Sequence, residues 1–229
     1  MSKLVDNRSI VVPGEPLYEG QDYSPGRGTY QEGKTIHSLF LGMAEFRKGD
    51  EIRVTPQNGK YIPQPGDSVI GEISRVSHSR WNVDLNSPYE GVLQISDAVD
   101  EYIDLEQDEL ADYFDLGDLI VTKVTKVTKG MDVDVTMDDK NARQLEGGRV
   151  IEIEPPKVPR LIGRRGTMVN MIKNKTNCTI IVGQNGRVWI QGEQEGLAAK
   201  ACRKVDREAH ISGLTDKISD WLDERKGGE

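Results

Sequence analysis

Cysteine, aromatic residues and long apolar runs are all scarce in this chain of 229 residues. Two cysteines, Cys178 and Cys202, are too few for a disulfide framework or a metal-ligand cluster, so we expect reduced, buried thiols. No apolar run approaches the roughly 20 residues that span a bilayer. The opening letters MSKLVDNRSI lack the apolar stretch of a secretory signal. We therefore expect a cytoplasmic protein with no membrane partner.

Positive charge is also in deficit, because the formal net charge is −8. An average field of this sign opposes nucleic-acid binding. The charges are nevertheless separated along the chain. Residues 81–122 hold twelve Asp and Glu and no Lys or Arg, whereas residues 155–192 hold seven Lys and Arg and no Asp or Glu. This separation indicates that different faces meet different partners, although chance clustering on solvated surfaces would look the same.

Turn signals divide the chain into three zones. Residues 1–62 carry short β-like runs between Gly- and Pro-rich turns, which predicts a small β domain. Residues 63–140 carry five strand-length runs, SVIGEISRV, RWNVDL, EGVLQIS, DLIVTKVTKV and MDVDVTM, which predict a five-stranded barrel. An acidic insert follows the third run, and its Val99, Ile103 and Leu110 could line a short helix or a covering loop.

The third zone, residues 147–229, changes character. Its pattern predicts a strand, a short helix, a tight GRRG link, a second helix, two strands around Asn185-Gly186 and a long amphipathic helix. A final amphipathic segment carries Leu214, Ile218, Trp221 and Leu222. We read the GQNG segment at 183–186 as a hairpin turn packed on a neighbour. The fold class is therefore multidomain, with β-rich and α+β parts.

The stretch GTYQEGKT at residues 28–35 matches the spacing of a phosphate-binding loop. Such a loop needs a buried strand before it and a helix N-terminus after it. Neither context is present, because LYEGQDYSPGR precedes it and the alternating stretch TIHSLFLGM, which favours a strand, follows. We therefore expect turns of a β unit and no nucleotide cofactor. Phosphate release that depended on Lys34 would contradict this expectation.

The GRRG link resembles the GxxG loop of KH domains, which lies between two helices and clamps about four nucleotides of single-stranded nucleic acid. Glycine lets the backbone approach phosphates, and Arg offers planar donors. On this resemblance the candidate RNA-binding residues of the third zone are Gly163, Arg164, Arg165, Gly166, Lys157, Arg160 and Lys173. The alternative is a structural loop whose arginines bind a protein partner.

The barrel resembles an S1-type RNA-binding domain, an oligonucleotide-binding (OB) fold. Ser79, Asn82 and Gln94 occupy the places where many such domains carry base-stacking side chains, so we expect weak binding without sequence preference. We read Trp81 as a core residue. The candidate backbone contacts are Arg75, His78, Arg80, Lys123 and Lys126.

The whole chain, with VVPGE, GRGTY, GKYIPQPGD, GQNGRVWIQG and EAHISGLTD, is similar to archaeal RNA exosome cap subunits with S1 and KH domains. The resemblance implies a non-catalytic protein without cofactor or metal. Three copies would form a cap on a hexameric ring of RNase PH-like subunits, with the N-terminal domain anchored to the ring. The four-Cys pattern of the related zinc-ribbon cap subunit is missing.

Two hypotheses follow from this resemblance. In the first, the chain captures RNA 3′ ends and guides them into the pore of a phosphorolytic 3′–5′ exonuclease ring. In the second, it is mainly an assembly scaffold and contacts RNA incidentally, in keeping with the missing stacking residues and the net acidity. Isolated histidines without a nucleophile motif, and no clustered aspartates, agree with a passive role in both.

Overall fold

The internal contacts of the chain divide it after Gly59 into two units. The computed structural model describes residues 2–47, 49–56, 58–99, 109–209, 211 and 213–226. The first unit is all β, and the second contains a barrel and an α+β layer. The predicted domain bounds of 1–62, 63–140 and 147–229 stay predictions. None of the described helices is long and apolar enough to cross a membrane.

Two four-stranded sheets form the first unit. The strands of this unit are β1 (Ser2–Lys3), β2 (Ile10–Val11), β3 (Pro16–Glu19), β4 (Ser24–Pro25), β5 (Thr29–Glu32), β6 (Thr35–Ser38), β7 (Gly42–Arg47) and β8 (Glu51–Pro56). The sheet orders are β1-β3-β6-β5 and β2-β7-β8-β4. A small core of buried side chains, including Leu17, Ile36 and Ile52, holds the unit together. The predicted N-terminal β domain is confirmed.

The phosphate-loop match lies in a hairpin. Strands β5 and β6 pair antiparallel, and Gly33 and Lys34 form the turn between them. Gly28 is needed for packing, because a Cβ there would overlap the Val54 carbonyl oxygen. No helix follows Lys34, so no helix N-terminus faces a phosphate. The expectation of turns in a β unit is confirmed.

The stretch TIHSLFLGM contains strand residues, as its alternation predicts, but a bend at residues 39–41 divides it between two strands. Strand β6 ends at Ser38 and β7 begins at Gly42. The Ser38 hydroxyl accepts a hydrogen bond from the Phe40 amide and donates one to the Phe40 carbonyl, at 3.3 and 2.7 Å. This local bonding competes with the sheet and turns the chain.

The second unit begins with the predicted five-stranded barrel. Its elements are β9 (Ser68–Ser77), β10 (Arg80–Asp84), β11 (Gly91–Gln94), α1 (Ile95–Ala98), β12 (Leu119–Val127) and β13 (Val133–Thr136). The barrel closes because β12 pairs with both β9 and β13. A sixth strand, β14 (Arg143–Leu145), which the sequence reading did not predict, pairs with β12. The OB-type barrel is confirmed.

Trp81 is fully buried inside the barrel, as predicted. Its indole Nε1 donates to the carbonyls of Leu110 and Phe114, at 3.2 and 2.9 Å. The Phe114 ring packs edge-on against it. The end of the acidic insert, with a 3₁₀ turn at Leu110–Asp112, therefore covers the barrel core. Ile103, which was also expected to pack there, lies outside the described residues.

A three-stranded sheet and four helices complete the unit. The elements are β15 (Arg149–Glu152), α2 (Val158–Ile162), α3 (Thr167–Thr176), β16 (Cys178–Val182), β17 (Arg187–Gly192), α4 (Glu195–Arg207) and α5 (Leu214–Lys226). The sheet is antiparallel in the order β15-β17-β16. This arrangement is the βααββα pattern of a type I KH domain, which confirms the predicted fold class. The buried side chains of α3, α4 and α5 share one core.

The C-terminal helix α5 is fastened to the KH core by charge as well as by apolar packing. Leu214, Ile218 and Leu222 are buried, as their spacing predicted. Lys204 and Lys217 both pair with Glu208, which lies just after α4. Their hydrogen bonds lower the pKa of Glu208, so this link is strongest above the usual pKa of a carboxyl group and weakens in acid.

The KH hairpin turn joins the barrel through buried polar contacts. The Asn185 side chain is fully buried. Its Nδ2 donates to the carbonyls of Ile70 and Leu85, at 2.8 and 2.9 Å, and its Oδ1 accepts from the Ile70 amide at 3.3 Å. Arg187, also buried, pairs with Asp84. The prediction that this turn packs on a neighbour is confirmed.

We predict that Asn185→Ala lowers the free energy of unfolding of the second unit by about 2–4 kcal/mol. The substitution removes the partner of the Leu85 carbonyl and of the Ile70 amide, and it leaves the Ile70 carbonyl only the 3.5 Å bond from Arg187. Each lost bond costs about 1–3 kcal/mol, with partial relief by water. Denaturant unfolding of the full chain measures the loss. Gln184→Ala is the control, since Gln184 is exposed and accepts one bond, from Ser68. Equal losses in both variants would contradict the prediction.

Candidate nucleic-acid interface

The GRRG link is an exposed loop between two helices. Helix α2 ends at Ile162, Arg164 to Gly166 form a 3₁₀ turn, and α3 begins at Thr167. Gly163 has a φ of 76°, and a Cβ there would lie 2.7 Å from the Met168 amide nitrogen. Glycine is therefore required here by the packing of the loop against the start of α3.

The two arginines of the loop carry uncompensated charge. Both side chains are exposed, and Arg165 adopts a left-handed conformation with a φ of 55°. Among the described residues, no carboxylate pairs with Arg164 or Arg165. Lys173 on α3 is half-buried and likewise pairs with no described carboxylate. These three cations are available to an anionic ligand.

The other two candidate cations of this region already have partners. Lys157 Nζ lies 3.2 Å from a Glu154 oxygen and 3.7 Å from an Asp206 oxygen. The exposed Arg160 donates to the Ile211 carbonyl and keeps its full charge. Ion pairing lowers the electrostatic pull of Lys157 on a phosphate, so the five predicted cations are not equivalent.

Strand register places four of the five barrel candidates on or beside the outer face. Arg75 lies opposite Asn82, Asn82 opposite Val92, Val92 opposite Asp134, and Asp134 opposite Lys126. Paired residues share a face of a sheet, so these five side chains form one row around the barrel. Arg75 and Lys126 stand at its two ends and are both exposed.

A second row runs beside the first. Arg80 lies opposite Ser77 on one side and Gln94 on the other, and Lys123 lies opposite Thr136. Lys123 Nζ is 2.9 Å from an Asp139 oxygen, and this hydrogen bond lowers the pKa of Asp139. The exposed His78 lies in the β9–β10 turn. The structure therefore brings these candidates to the rims of one face.

The centre of that face has no stacking aromatic among its described side chains. Asn82 and Gln94 point outward there, and Asn82 Nδ2 donates to a Glu90 oxygen at 3.0 Å. Trp81, the neighbour of Asn82, points into the core. The described side chains of this face can thus offer amides and peripheral cations to a polynucleotide, but no π surface.

The first unit presents a surface that the sequence reading missed. Ile10 pairs with Met43 across β2 and β7, and Val12 and Leu41 follow on the same face, by strand alternation. These four side chains, which we call the apolar face, are 51, 37, 53 and 47% exposed, respectively. Exposed apolar groups in one cluster mark interaction sites. The alternation around buried Val11 and Ala44 was the available signal.

Ligands for a metal ion are not gathered in the part of the chain that the structure describes. No group of three or more His, Cys, Asp or Glu side chains there is placed to hold one. Cys178 and Cys202 are both buried, and burial raises the pKa of Cys202 to about 12. The Cys202 thiol thus remains protonated at neutral pH.

Three family models match consecutive parts of the chain. The model described as Exosome complex exonuclease RRP4 N-terminal region matches residues 10–46. The model described as RRP4, S1 domain matches residues 60–126, and a KH domain model matches residues 148–196. Their order is that of the β unit, the barrel and the GxxG-containing domain.

Whole-chain relatives agree with these matches. Exosome complex component Rrp4 of Pyrococcus horikoshii is 46% identical over 96% of this chain and 84% of that protein. The Rrp4 of Thermococcus kodakarensis is 46% identical over 97% of this chain and 88% of that protein. The Rrp4 of Methanothermus fervidus is 42% identical over 96% of this chain and 97% of that protein. A crystal structure described as an exosome complex RNA-binding protein is 35% identical, with a TM-score of 0.68, over 75% of this chain and 100% of that one.

Proposed function

Because this chain belongs to the Rrp4 family of exosome components, we propose that it captures RNA 3′ ends and guides them into an exonuclease ring. The ring would be a hexamer of RNase PH-like subunits that degrades and processes RNA by phosphorolysis in the cytoplasm. Three copies of this chain would form its cap. The observation that carries the proposal is that Arg164 and Arg165 are exposed on the GxxG loop and pair with no carboxylate of the described residues.

In this proposal the GxxG loop binds RNA more strongly than the barrel does. A phosphate can approach the backbone at the GxxG loop and receive donors from Arg164 and Arg165. Lys173 extends the positive potential along α3. Arg160 lies before the loop, and Lys157, paired with two carboxylates, contributes least.

The barrel supplies a weaker and sequence-independent contact. Arg75, Arg80 and Lys126 would touch phosphates at the rims of its outer face, with His78 in the turn beside them. Lys123 would have to share its charge with Asp139. Three such faces around one pore act together, because linked weak contacts raise the overall affinity.

The apolar face of the first unit fits the role of ring anchor. Its four side chains lie together on the outside of a sheet, where water would otherwise cover them. Burial yields about 25 cal/mol per Å² of apolar surface, so such a cluster stabilises a protein contact. Polynucleotides present phosphates and ribose instead, which makes a protein partner the better match.

Catalysis in this proposal belongs to the ring. One matched model carries the word exonuclease in its description, but it covers only residues 10–46 of the β unit. The other two models, which match later parts of the chain, describe an S1 and a KH domain. Rrp4 relatives are named as complex components. We therefore propose a non-catalytic chain with no cofactor.

We predict that Arg164→Glu with Arg165→Glu weakens binding of single-stranded RNA about tenfold or more, and lowers the salt dependence of binding. Two lost phosphate contacts reduce the slope of log K against log salt by about 1.4. Fluorescence anisotropy across a salt series measures both quantities. Arg27→Glu with Lys34→Glu is the control, because it makes the same charge change on exposed side chains of the other unit. Unchanged affinity and slope in the loop variant would remove the KH loop from the proposal.

We predict that Leu41→Asp with Met43→Asp prevents stable association with the ring. Two charges on the apolar face must be desolvated when the interface forms, whereas the fold tolerates them because both side chains are exposed. Co-elution on size-exclusion chromatography measures assembly, and RNA affinity of the free chain should stay unchanged. The control is Leu116→Asp, since Leu116 is 66% exposed in the other unit. Normal assembly of the double variant would refute the anchor.

A reconstituted ring separates the capture hypothesis from the scaffold hypothesis. We expect this chain to lower the RNA concentration that half-saturates degradation, and we expect the Arg164→Glu, Arg165→Glu variant to assemble without this gain. The chain alone should release no nucleotide from RNA in the presence of phosphate and Mg²⁺. Full gain with the double variant would favour a scaffold.

A further inference from the structure

Helix α4 carries a row of cations on its outer side. Its inner side buries Ala198, Cys202 and other small residues. Lys200, Arg203 and Arg207 follow at spacings of three and four, so they share the opposite face of the helix, and all three are exposed. We call these three residues the α4 row. With a rise of about 1.5 Å per residue, the row spans about 10 Å.

Three carboxylates near the α4 row are engaged elsewhere. Glu195 accepts a hydrogen bond from the Gly192 amide. Asp206 accepts from the Glu154 amide and pairs with Lys157 on the side of α2. Glu208 is held by Lys204 and Lys217. Among the described residues, no carboxylate pairs with any member of the α4 row, so its charge is uncompensated.

Like charges at these spacings repel each other, at a cost of about 0.2–0.5 kcal/mol per pair in a helix. Their neighbour Lys204 shows how the same helix neutralises a cation, with a carboxylate four residues on. No member of the α4 row forms such an ion pair among the described residues. An anionic partner would remove this repulsion, and its several phosphates would match several cations at once.

The row continues toward the GxxG loop. Helix α2 packs against α4 and leads directly into Gly163. Arg160, on α2, donates to the carbonyl of Ile211, just past the end of α4. Ile211 in turn bonds to Glu208, the residue after Arg207. Arg160 thus lies between the loop arginines and the C-terminal end of the α4 row.

The other end of the row opens into a cleft. Lys200 and Arg225 line this cleft together with Gly196 and Leu197, at the N-terminus of α4. The Arg225 guanidinium lies 4.3 Å from the centre of the Trp221 ring, which holds it in place. Glu193 also lines the cleft and pairs with neither cation among the described residues. Two cations and one carboxylate thus line this opening, with a net positive charge.

We propose that single-stranded RNA held at the GxxG loop continues over Arg160 and along the α4 row to the cleft at Arg225. The RNA would be bound through its phosphates, independently of sequence. This inference rests on the proposed KH grip and extends its site from about four nucleotides to a longer track. A regular row of charges on a helix can contact successive phosphates of a flexible strand. It does not offer the donor and acceptor pattern that would recognise the edge of a particular base.

Two RNA lengths test the track. We expect Lys200→Gln, Arg203→Gln, Arg207→Gln to weaken binding of RNA of about 15 nucleotides roughly tenfold, and to lower its salt slope by about 2. Binding of RNA of about five nucleotides, which the loop alone can hold, should stay unchanged. Arg8→Gln, Arg27→Gln, Lys34→Gln is the control, since it removes three exposed cations from the other unit. Thermal unfolding checks that each variant folds.

A variant that keeps the positive charge tests whether the loss of affinity comes from lost charge or from a changed structure. Arg203→Lys with Arg207→Lys should retain most of the affinity for the long RNA, because phosphates accept a point charge as well as a fork. If the glutamine variant binds the long RNA normally while Arg164→Glu, Arg165→Glu does not, the track is refuted and the KH grip stands. If the loop variant also binds both RNAs normally, the proposed RNA binding by the KH loop, on which the track rests, fails. If the glutamine variant lost binding to an acidic protein while its binding of the long RNA stayed unchanged, the track would also be refuted.

Discussion

The buried amide of Asn185 is the constraint on which the second unit depends. One side chain satisfies two carbonyls and one amide of the barrel, all from the tip of a KH hairpin. An amide can both donate and accept, and neither an apolar residue nor a carboxylate could meet all three groups. Arg187 adds a buried ion pair beside it. The barrel face and the GxxG loop are thereby parts of one body, so an RNA strand would meet them at a fixed separation.

Local ion pairing explains how an anionic chain can present cationic surfaces. Carboxylates and cations that pair, such as Asp206 with Lys157 and Asp139 with Lys123, cancel each other over a few ångströms. At physiological salt the Debye length is about 8 Å, so distant acidic surface hardly weakens an unpaired arginine. The net charge of −8 therefore says little about Arg164 and Arg165. The potential at a site is set by which charges pair nearby.

Much of this architecture could be read from the sequence, because the strands of the barrel and the helices of the KH domain are long enough to show a period. Alternation placed Trp81 in the core, and the missing helix after Lys34 ruled out a phosphate loop. Two-residue strands such as Ser2–Lys3 carry no period. The partners of Lys157 and Lys123 could not be foreseen either, because Asp206 and Asp139 reach them only through tertiary packing. The sequence thus predicted where the candidate site lies. It did not predict which of the candidate cations pair with carboxylates and which do not.

The chemistry of the barrel face suits a strand that has to move. Each base stacked on an aromatic ring is held by about 1–3 kcal/mol, and that contact must break whenever the strand advances by one nucleotide. Asn82 and Gln94 offer no such stack, and cations at the rims exchange one phosphate for the next with little change in energy. Under the proposed function, the chain would have to hold the RNA strand without fixing its register as the strand moves into the ring. Under the proposed function, the weak face of the barrel is therefore a condition for sliding, and the firmer hold falls to the KH loop.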